Sequence, residues 1–320
     1  MSKVFPVFLR RLQTRPLLRR GIRLYGQRFR YNRGYDQQQI WQTRGFWYTA
    51  GVASTGGAVY YQMHLEDSPT GRRRFINVSP AREKQAGHRA YQEVLAQYRW
   101  QLEPRGSPLD RYVRRVAERI VVVTGMHESW EIHVIRSSEK NAFVLPGGKI
   151  FVFSGILPVA ANEDGLATIL AHEIAHQYAR HSAEKLSQAS LLQVALVVAS
   201  LFVDPNVLQM GQAMGSLLLE LPNSRQCELE ADQLGLYFMA MACYDPRQAV
   251  GLWQRMKAAE LASPPQFLNT HPSTDSRIDS IKAWLPDAQS KREAANCPNP
   301  DTVRAFLGQP WATTAVSGGD

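Results

Sequence analysis

His172, Glu173 and His176 stand in the stretch LATILAHEIAHQYARHS, residues 166–182, and spell H-E-x-x-H. On an α-helix, residues i and i+4 lie one above the other on a single face. Two imidazoles at that spacing can bind one Zn²⁺ at ~2.0–2.1 Å each. Glu173 stands beside such an ion. A carboxylate there can take a proton from a water whose pKa zinc lowers to about 7. Three matching positions also arise by chance, in about one chain per hundred, so their context has to decide. Leu166, Ile169, Leu170 and Ile174 give the helix an apolar face, and histidines buried with it need partners.

Catalytic zinc takes a third protein ligand and keeps a fourth position open. The extended metzincin pattern needs Gly at 179 and His at 182, and the chain has Ala179 and Ser182. His181 is at the wrong offset and is expected at the surface of the helix end. SRQCELEAD supplies a better candidate, because Glu228 and Asp232 are again i and i+4. Glu228 completes a His₂Glu set, and Asp232 can accept the outer N–H of a ligand histidine, His172, and fix its tautomer. Glu230 points elsewhere and is expected in solvent. Cys227 rivals Glu228 by softness but breaks the i, i+4 geometry.

These residues need elements to hold them. NEDGLATILAHEIAHQYARHSAEKLSQ reads as a helix with acids at its start. CELEADQLGLYFMAMA reads as a second. PLDRYVRRVAERIVVVTG is a third, with Leu109, Val113, Val116 and Ile120 on one face and Gly125 as its stop. WEIHVIRS alternates as a strand, and NAFVLPGGKIFVFSGIL reads as strand, tight Pro-Gly-Gly turn, strand. Asn141, Ala142 and Phe143 can pair an extended peptide through their main chain, which asks little of their side chains. The apolar run 191–203 is too short for a standard membrane span, so it is expected as a core helix or a membrane-dipping segment.

The net charge of +9 does not point to nucleic acid, because it is not spread over the body. Residues 1–44 hold eleven Lys/Arg and one acid, Asp36, so the remainder is close to neutral. An Arg-rich, acid-poor start without a secretory apolar region reads as a mitochondrial transit peptide. Gly45 to Met63 contains no charged residue. At ~1.5 Å per residue its length approaches the thickness of a bilayer core. Trp47, Tyr48, Tyr60 and Tyr61 flank it, as in an aromatic belt. Gly51, Gly56 and Gly57 weaken its hydropathy. Arg28, Arg30, Arg33 and Arg44 precede the segment, which places the C-terminal body across the membrane from the N-terminus. Cys227, Cys243 and Cys297 form no close-spaced metal pair and no disulfide framework, and their odd number leaves at least one thiol unpaired.

HEIAH followed by ELEAD resembles the gluzincin metallopeptidases related to HtpX and the CAAX prenyl endoproteases. NAFVLPGGKIFVFSGIL is similar to that family's substrate-binding edge strand, and THPSTDSRI to its C-terminal His-Pro…Arg signature. The resemblance covers roughly residues 85–285. It implies that His271 stabilises the oxyanion and that Arg277 supports the site. One presequence, one span and GRRRFINVSP resemble the family's mitochondrial inner-membrane branch, whose activity overlaps that of the m-AAA protease. That likeness implies membrane-protein quality control and stress-induced processing, with the catalytic domain in the intermembrane space.

The expected fold is therefore α+β, mainly α: a zincin-like metallopeptidase domain with a small sheet, preceded by one transmembrane helix. The expected divisions are a basic N-terminal segment 1–40, a span 45–63, a connector 64–84, a peptidase domain 85–287 and a tail 288–320. One Zn²⁺ per chain is held by His172, His176 and Glu228, with Glu173 and His271 catalytic, Asp232 and Arg277 behind them, and Asn141, Ala142 and Phe143 on substrate. The expected partners are inner-membrane protein substrates and the lipid bilayer, with a homo-oligomer left open and no nucleic acid. The alternatives are a catalytically silent zinc-containing membrane scaffold, whose function would survive Glu173→Gln, and an RNA-binding protein that keeps its basic N-terminus.

Overall fold

A computed structural model of the chain describes residues 43–200, 225–262, 266–271 and 275–298. The basic N-terminal segment, residues 201–203 of the apolar run and most of the C-terminal tail lie outside the described residues. The chain divides into two compact units, Met1–Val52 and Ala53–Asp320, and the second holds every residue singled out for chemistry.

Helix α1, Arg44–Met63, buries none of its side chains. No described helix is long and apolar enough to cross a membrane. In α1 the small and polar residues Gly51, Ser54, Thr55, Gly56 and Gly57 dilute the apolar ones, so the expected span is not shown.

The expected connector holds regular structure. Strands β1, Leu65–Asp67, and β2, Arg73–Phe75, form an antiparallel hairpin with Leu65 opposite Phe75. Helix α2, Pro80–Tyr98, starts inside the connector: Ser79 accepts the Arg82 amide, and Pro80 needs no hydrogen bond in the first turn. Helix α3, Pro108–Thr124, starts the same way on Ser107 and Pro108, and Gly125 closes it at φ 67°.

Strands β3, Glu131–Ile135, β4, Ala142–Leu145, and β5, Lys149–Phe153, form one sheet in the order β3-β5-β4. β5 runs parallel to β3 and antiparallel to β4, which leaves β4 at an edge. The turn between β4 and β5 needs Gly147 and Gly148, at φ 88° and 76°. After the short helix α4, Leu157–Ala160, comes α5, Glu163–Tyr178. Asn162 caps α5 through the Gly165 amide, and Glu163 and Asp164 suit the positive end of its dipole. Residues 165–175 of α5 are all buried, so this helix is the centre of the core. It packs against β4, α3 and α8, Gln248–Ala262. Helix α6, His181–Ser200, follows with Val194, Val197 and Val198 exposed. A helix over residues 225–241, α7, carries ELEAD. Short α9, Gln266–Thr270, and α10, Asp275–Ala294, complete the described body.

The cysteine reading needs correction. Cys243 and Cys297 form a disulfide across 54 residues, and Cys227 is free and buried. Residues so far apart in sequence leave no spacing pattern; the bond arises because the end of α10 returns to the turn after α7.

Candidate metal centre

Buried α5 presents His172 and His176 one turn apart, and α7 crosses it closely enough to bring Glu228 between them. The crossing depends on Gly235. A Cβ there would lie 2.9 Å from the His172 amide nitrogen and 3.0 Å from the Ala171 carbonyl carbon. His172 Nε2 and His176 Nε2 are 3.1 Å apart. Glu228 oxygens lie 3.3 Å from His172 Nε2 and 3.5 Å from His176 Nε2. Metal–ligand bonds of ~2.0–2.1 Å set tetrahedral edges of about 3.3–3.4 Å. The three donors thus stand at the spacing of three corners around one ion, and the chain's residues fit a metal.

His271 belongs to the same donor set. Its Nδ1 lies 3.2 Å from His172 Nε2 and 3.0 Å from Glu228 Oε2, and its Nε2 lies 3.2 Å from Glu173 Oε1. Short α9 delivers it. The Phe267 amide donates to the Lys140 carbonyl at the entry to β4, the His271 amide donates to Phe267, and the two rings stack at 4.6 Å. A donor set of three was expected; the structure gathers four.

Asp232 Oδ1 is 3.0 Å from His172 Nδ1. Arg277 from α10 donates to both Asp232 oxygens, Nε at 2.7 Å and Nη2 at 2.8 Å, and its Nη1 is 3.2 Å from Glu228. The guanidinium lies 4.0 Å over the Trp253 ring, which in turn meets the edge of His172. Both members of this ion pair are buried.

The electrostatics follow the geometry. Burial disfavours a charged His172, but hydrogen bonds to Asp232 and Glu228 outweigh it and push its pKa up to about 9. Burial holds His176 well below the usual histidine range. Burial would raise Glu228, yet the surrounding histidines hold its carboxyl well below the carboxylate range. Burial pushes Glu173 up, against the pull of His271 and His172. The Val144 main-chain amide also opposes the rise, which sets Glu173 beside edge strand β4.

Asn141, Ala142 and Phe143 lead into and along β4. Asn141 folds its side chain onto the Ala142 amide at 2.9 Å. Phe143 packs against Phe151 and Phe153. Cys227, the rival ligand, lies outside the His172–His176–Glu228–His271 group. It sits near His181 and Glu184, and burial pushes its thiol up to about 12, so it stays protonated.

Two expectations are overturned. His181 is buried, at 1% exposure, and Glu230 is buried, at 4%. His181 Nδ1 is 2.8 Å from His176 Nδ1 and its Nε2 is 3.2 Å from Glu230 Oε2. Arginines from the β1–β2 hairpin cover this region, and no local pattern in 181–230 announces them. The one signal in the sequence is the arginine cluster Arg72, Arg73 and Arg74.

Residues 107–285 match the profile of peptidase family M48. The chain is 48% identical over 259 residues to the mitochondrial metalloendopeptidase OMA1 of Schizosaccharomyces pombe, covering 79% of this chain and 76% of that protein. It is 38% identical over 265 residues to the Saccharomyces cerevisiae protein of the same name, covering 76% and 75%. With the mitochondrial metalloendopeptidase OMA1 of Homo sapiens it shares 30% identity over 311 residues, 90% of this chain and 59% of that one. Donor spacing, an adjacent carboxylate and a match that spans the whole site agree, and the chain belongs to peptidase family M48, as a metallopeptidase.

Proposed function

We propose that the chain is a zinc endopeptidase of the mitochondrial inner membrane, where it cuts inner-membrane proteins in quality control and stress-induced processing. One observation carries the chemistry: His172, His176 and Glu228 stand at tetrahedral spacings with Glu173 beside them. The mitochondrial setting rests on the relatives, each named as a mitochondrial metalloendopeptidase, and on the Arg-rich start. In this reading α1 is a single membrane anchor with the peptidase body in the intermembrane space, supported by the uncharged stretch from Gly45 to Met63 and its aromatic ends.

When bound, Zn²⁺ supplies Lewis acidity that acidifies water and polarises the scissile carbonyl. The chain's own residues do the rest. The open edge of β4 aligns an extended substrate through main-chain hydrogen bonds at Asn141, Ala142 and Phe143. Glu173 takes a proton from the attacking water as its oxygen bonds to the carbonyl carbon, then passes that proton to the leaving amine as the C–N bond breaks. His271 Nε2, beside Glu173, donates to the carbonyl oxygen as charge develops there. Asp232 and Arg277 keep the His172 ring in the tautomer whose Nε2 carries a lone pair.

The place of His271 Nδ1 in the donor set favours a second reading. Four protein ligands close a site, and closed zinc sites are structural. The chain would then be the silent scaffold. Purified full-length protein separates the two: the endopeptidase reading requires about one zinc per chain and cleavage of an unfolded protein that stops with chelator and returns with zinc. Bound zinc without cleavage under any condition supports the scaffold.

A further inference from the structure

A second set of charged and polar side chains reaches the metal centre through His176. We propose that His181, Glu230 and Arg72 are positioning residues that hold the His176 ring for metal binding. The inference rests on the reading of His172, His176 and Glu228 as the metal ligands.

The chain of contacts is continuous. Arg72 donates to both Glu184 oxygens at 2.7 Å and to Glu230 Oε2 at 3.0 Å. Thr70 donates its hydroxyl to Glu230 Oε1 at 2.9 Å. The second Glu230 oxygen lies 3.2 Å from His181 Nε2, and His181 Nδ1 lies 2.8 Å from His176 Nδ1. For two neutral imidazoles, one placement of protons satisfies both ends. An ionised Glu230 only accepts, so His181 carries its proton on Nε2. His181 Nδ1 is then an acceptor and the His176 proton sits on Nδ1. That leaves the His176 Nε2 lone pair facing His172 and Glu228. His172 gets its tautomer from Asp232 and Arg277; His176 gets its own from a separate relay of other residues.

The relay starts outside the segment that matches the peptidase family. Thr70 and Arg72 belong to the β1–β2 hairpin, upstream of residues 107–285. The hairpin is fixed in place by Arg74, which donates to the Ala179 carbonyl just after α5 and pairs with Glu66 at 3.0 Å. So the segment that follows α1 is part of the metal centre. His181, Glu184 and Cys227 also cluster here, and the Arg72 guanidinium pairs with both oxygens of Glu184.

The test uses full-length detergent-solubilised protein and measures zinc affinity by chelator competition, with the visible spectrum of the cobalt-substituted protein as a second readout. In His181→Leu, affinity should fall about 10–100-fold, the usual cost of losing a hydrogen bond to a ligand histidine, and the cobalt spectrum should shift. His181→Asn keeps an acceptor near the Nδ1 position and should recover most of the affinity. A merely structural role would make both variants equal. Should His181→Leu fail to fold, Glu230→Gln decides alone, with a several-fold loss expected. Affinity within twofold of wild type in folded His181→Leu or Glu230→Gln, or equal losses in His181→Leu and His181→Asn, overturns the proposal. Wild type that binds no zinc would instead overturn the ligand reading beneath it.

Discussion

The two proposed ligand histidines differ in sequence by one turn of helix, yet they are held by unrelated partners. His172 depends on Asp232, and Asp232 depends on the fork of Arg277, which matches a carboxylate in a way a lysine cannot. Arg277→Lys keeps the charge and loses one of the two parallel hydrogen bonds. It should weaken zinc binding about tenfold in chelator competition, the lower end of the usual range; unchanged affinity would show that charge alone suffices. At this scale the sequence was legible wherever spacing carries the geometry. The i, i+4 pairs His172/His176 and Glu228/Asp232 share their helix faces and meet in the structure. His181 and Glu230 were not legible, because their burial is decided by Arg72, whose sequence position is more than a hundred residues away from either.

At the scale of elements, the helix crossing and the caps decide whether those residues meet. Gly235→Ala would push a methyl group into the backbone of α5 at His172. Overpacking of this kind costs about 1–3 kcal/mol, so thermal unfolding should drop by several degrees and zinc affinity should fall with it. A variant as stable and as tight as wild type would mean the crossing is not limited by Gly235. The start of α3 gives a pH-dependent case. Burial would raise the Asp110 pKa, but the Arg114 side chain and the Gly106 amide hold it below the usual range. A carboxyl depressed in the folded state stabilises the fold above its unfolded pKa of about 3.9, and the contribution is lost as pH falls through the lower folded value. Asp110→Asn should therefore lower stability by about 1–2 kcal/mol at pH 7, with the difference from wild type shrinking below about pH 4. A difference that is constant with pH would show the charge is not involved. The helix over 108–124, the start of the helix at 163 and the strand-turn-strand at 142–153 were legible because caps, acids and glycines mark their ends; the break after Tyr178, where Arg180 takes φ 55° and a stretch read as one helix divides into α5 and α6, was not. The β1–β2 hairpin was not, since three-residue strands are too short to show an alternation.

Across the whole molecule, the disulfide was the least legible feature, because Cys243 and Cys297 are brought together only when α10 packs back on the core. Closing a loop of 54 residues removes chain entropy worth roughly 4 kcal/mol. Cys297→Ser should lower the melting temperature by about 10 °C, and added reductant should lower wild type to the same value. A wild type insensitive to reductant while Cys297→Ser melts early would tie the loss to the side chain instead of the bond. The charge of the whole chain, by contrast, could be placed from sequence alone: the excess of basic over acidic residues lies in residues 1–44, and the near-neutral body includes ion pairs such as Arg72–Glu184 and the buried Arg277–Asp232.

The central claim is that Glu173 moves the proton in a metal-assisted peptide hydrolysis. Glu173→Gln keeps the shape of the side chain and every proposed metal ligand, so the two proteins can be compared at equal zinc content. The direct measurement is cleavage of an unfolded membrane-protein substrate by the purified, detergent-solubilised wild type and by this variant. The wild type should cut, and the variant should be slower by at least ~10²-fold, the usual loss of a general base. Equal cleavage by the two proteins would contradict the mechanism.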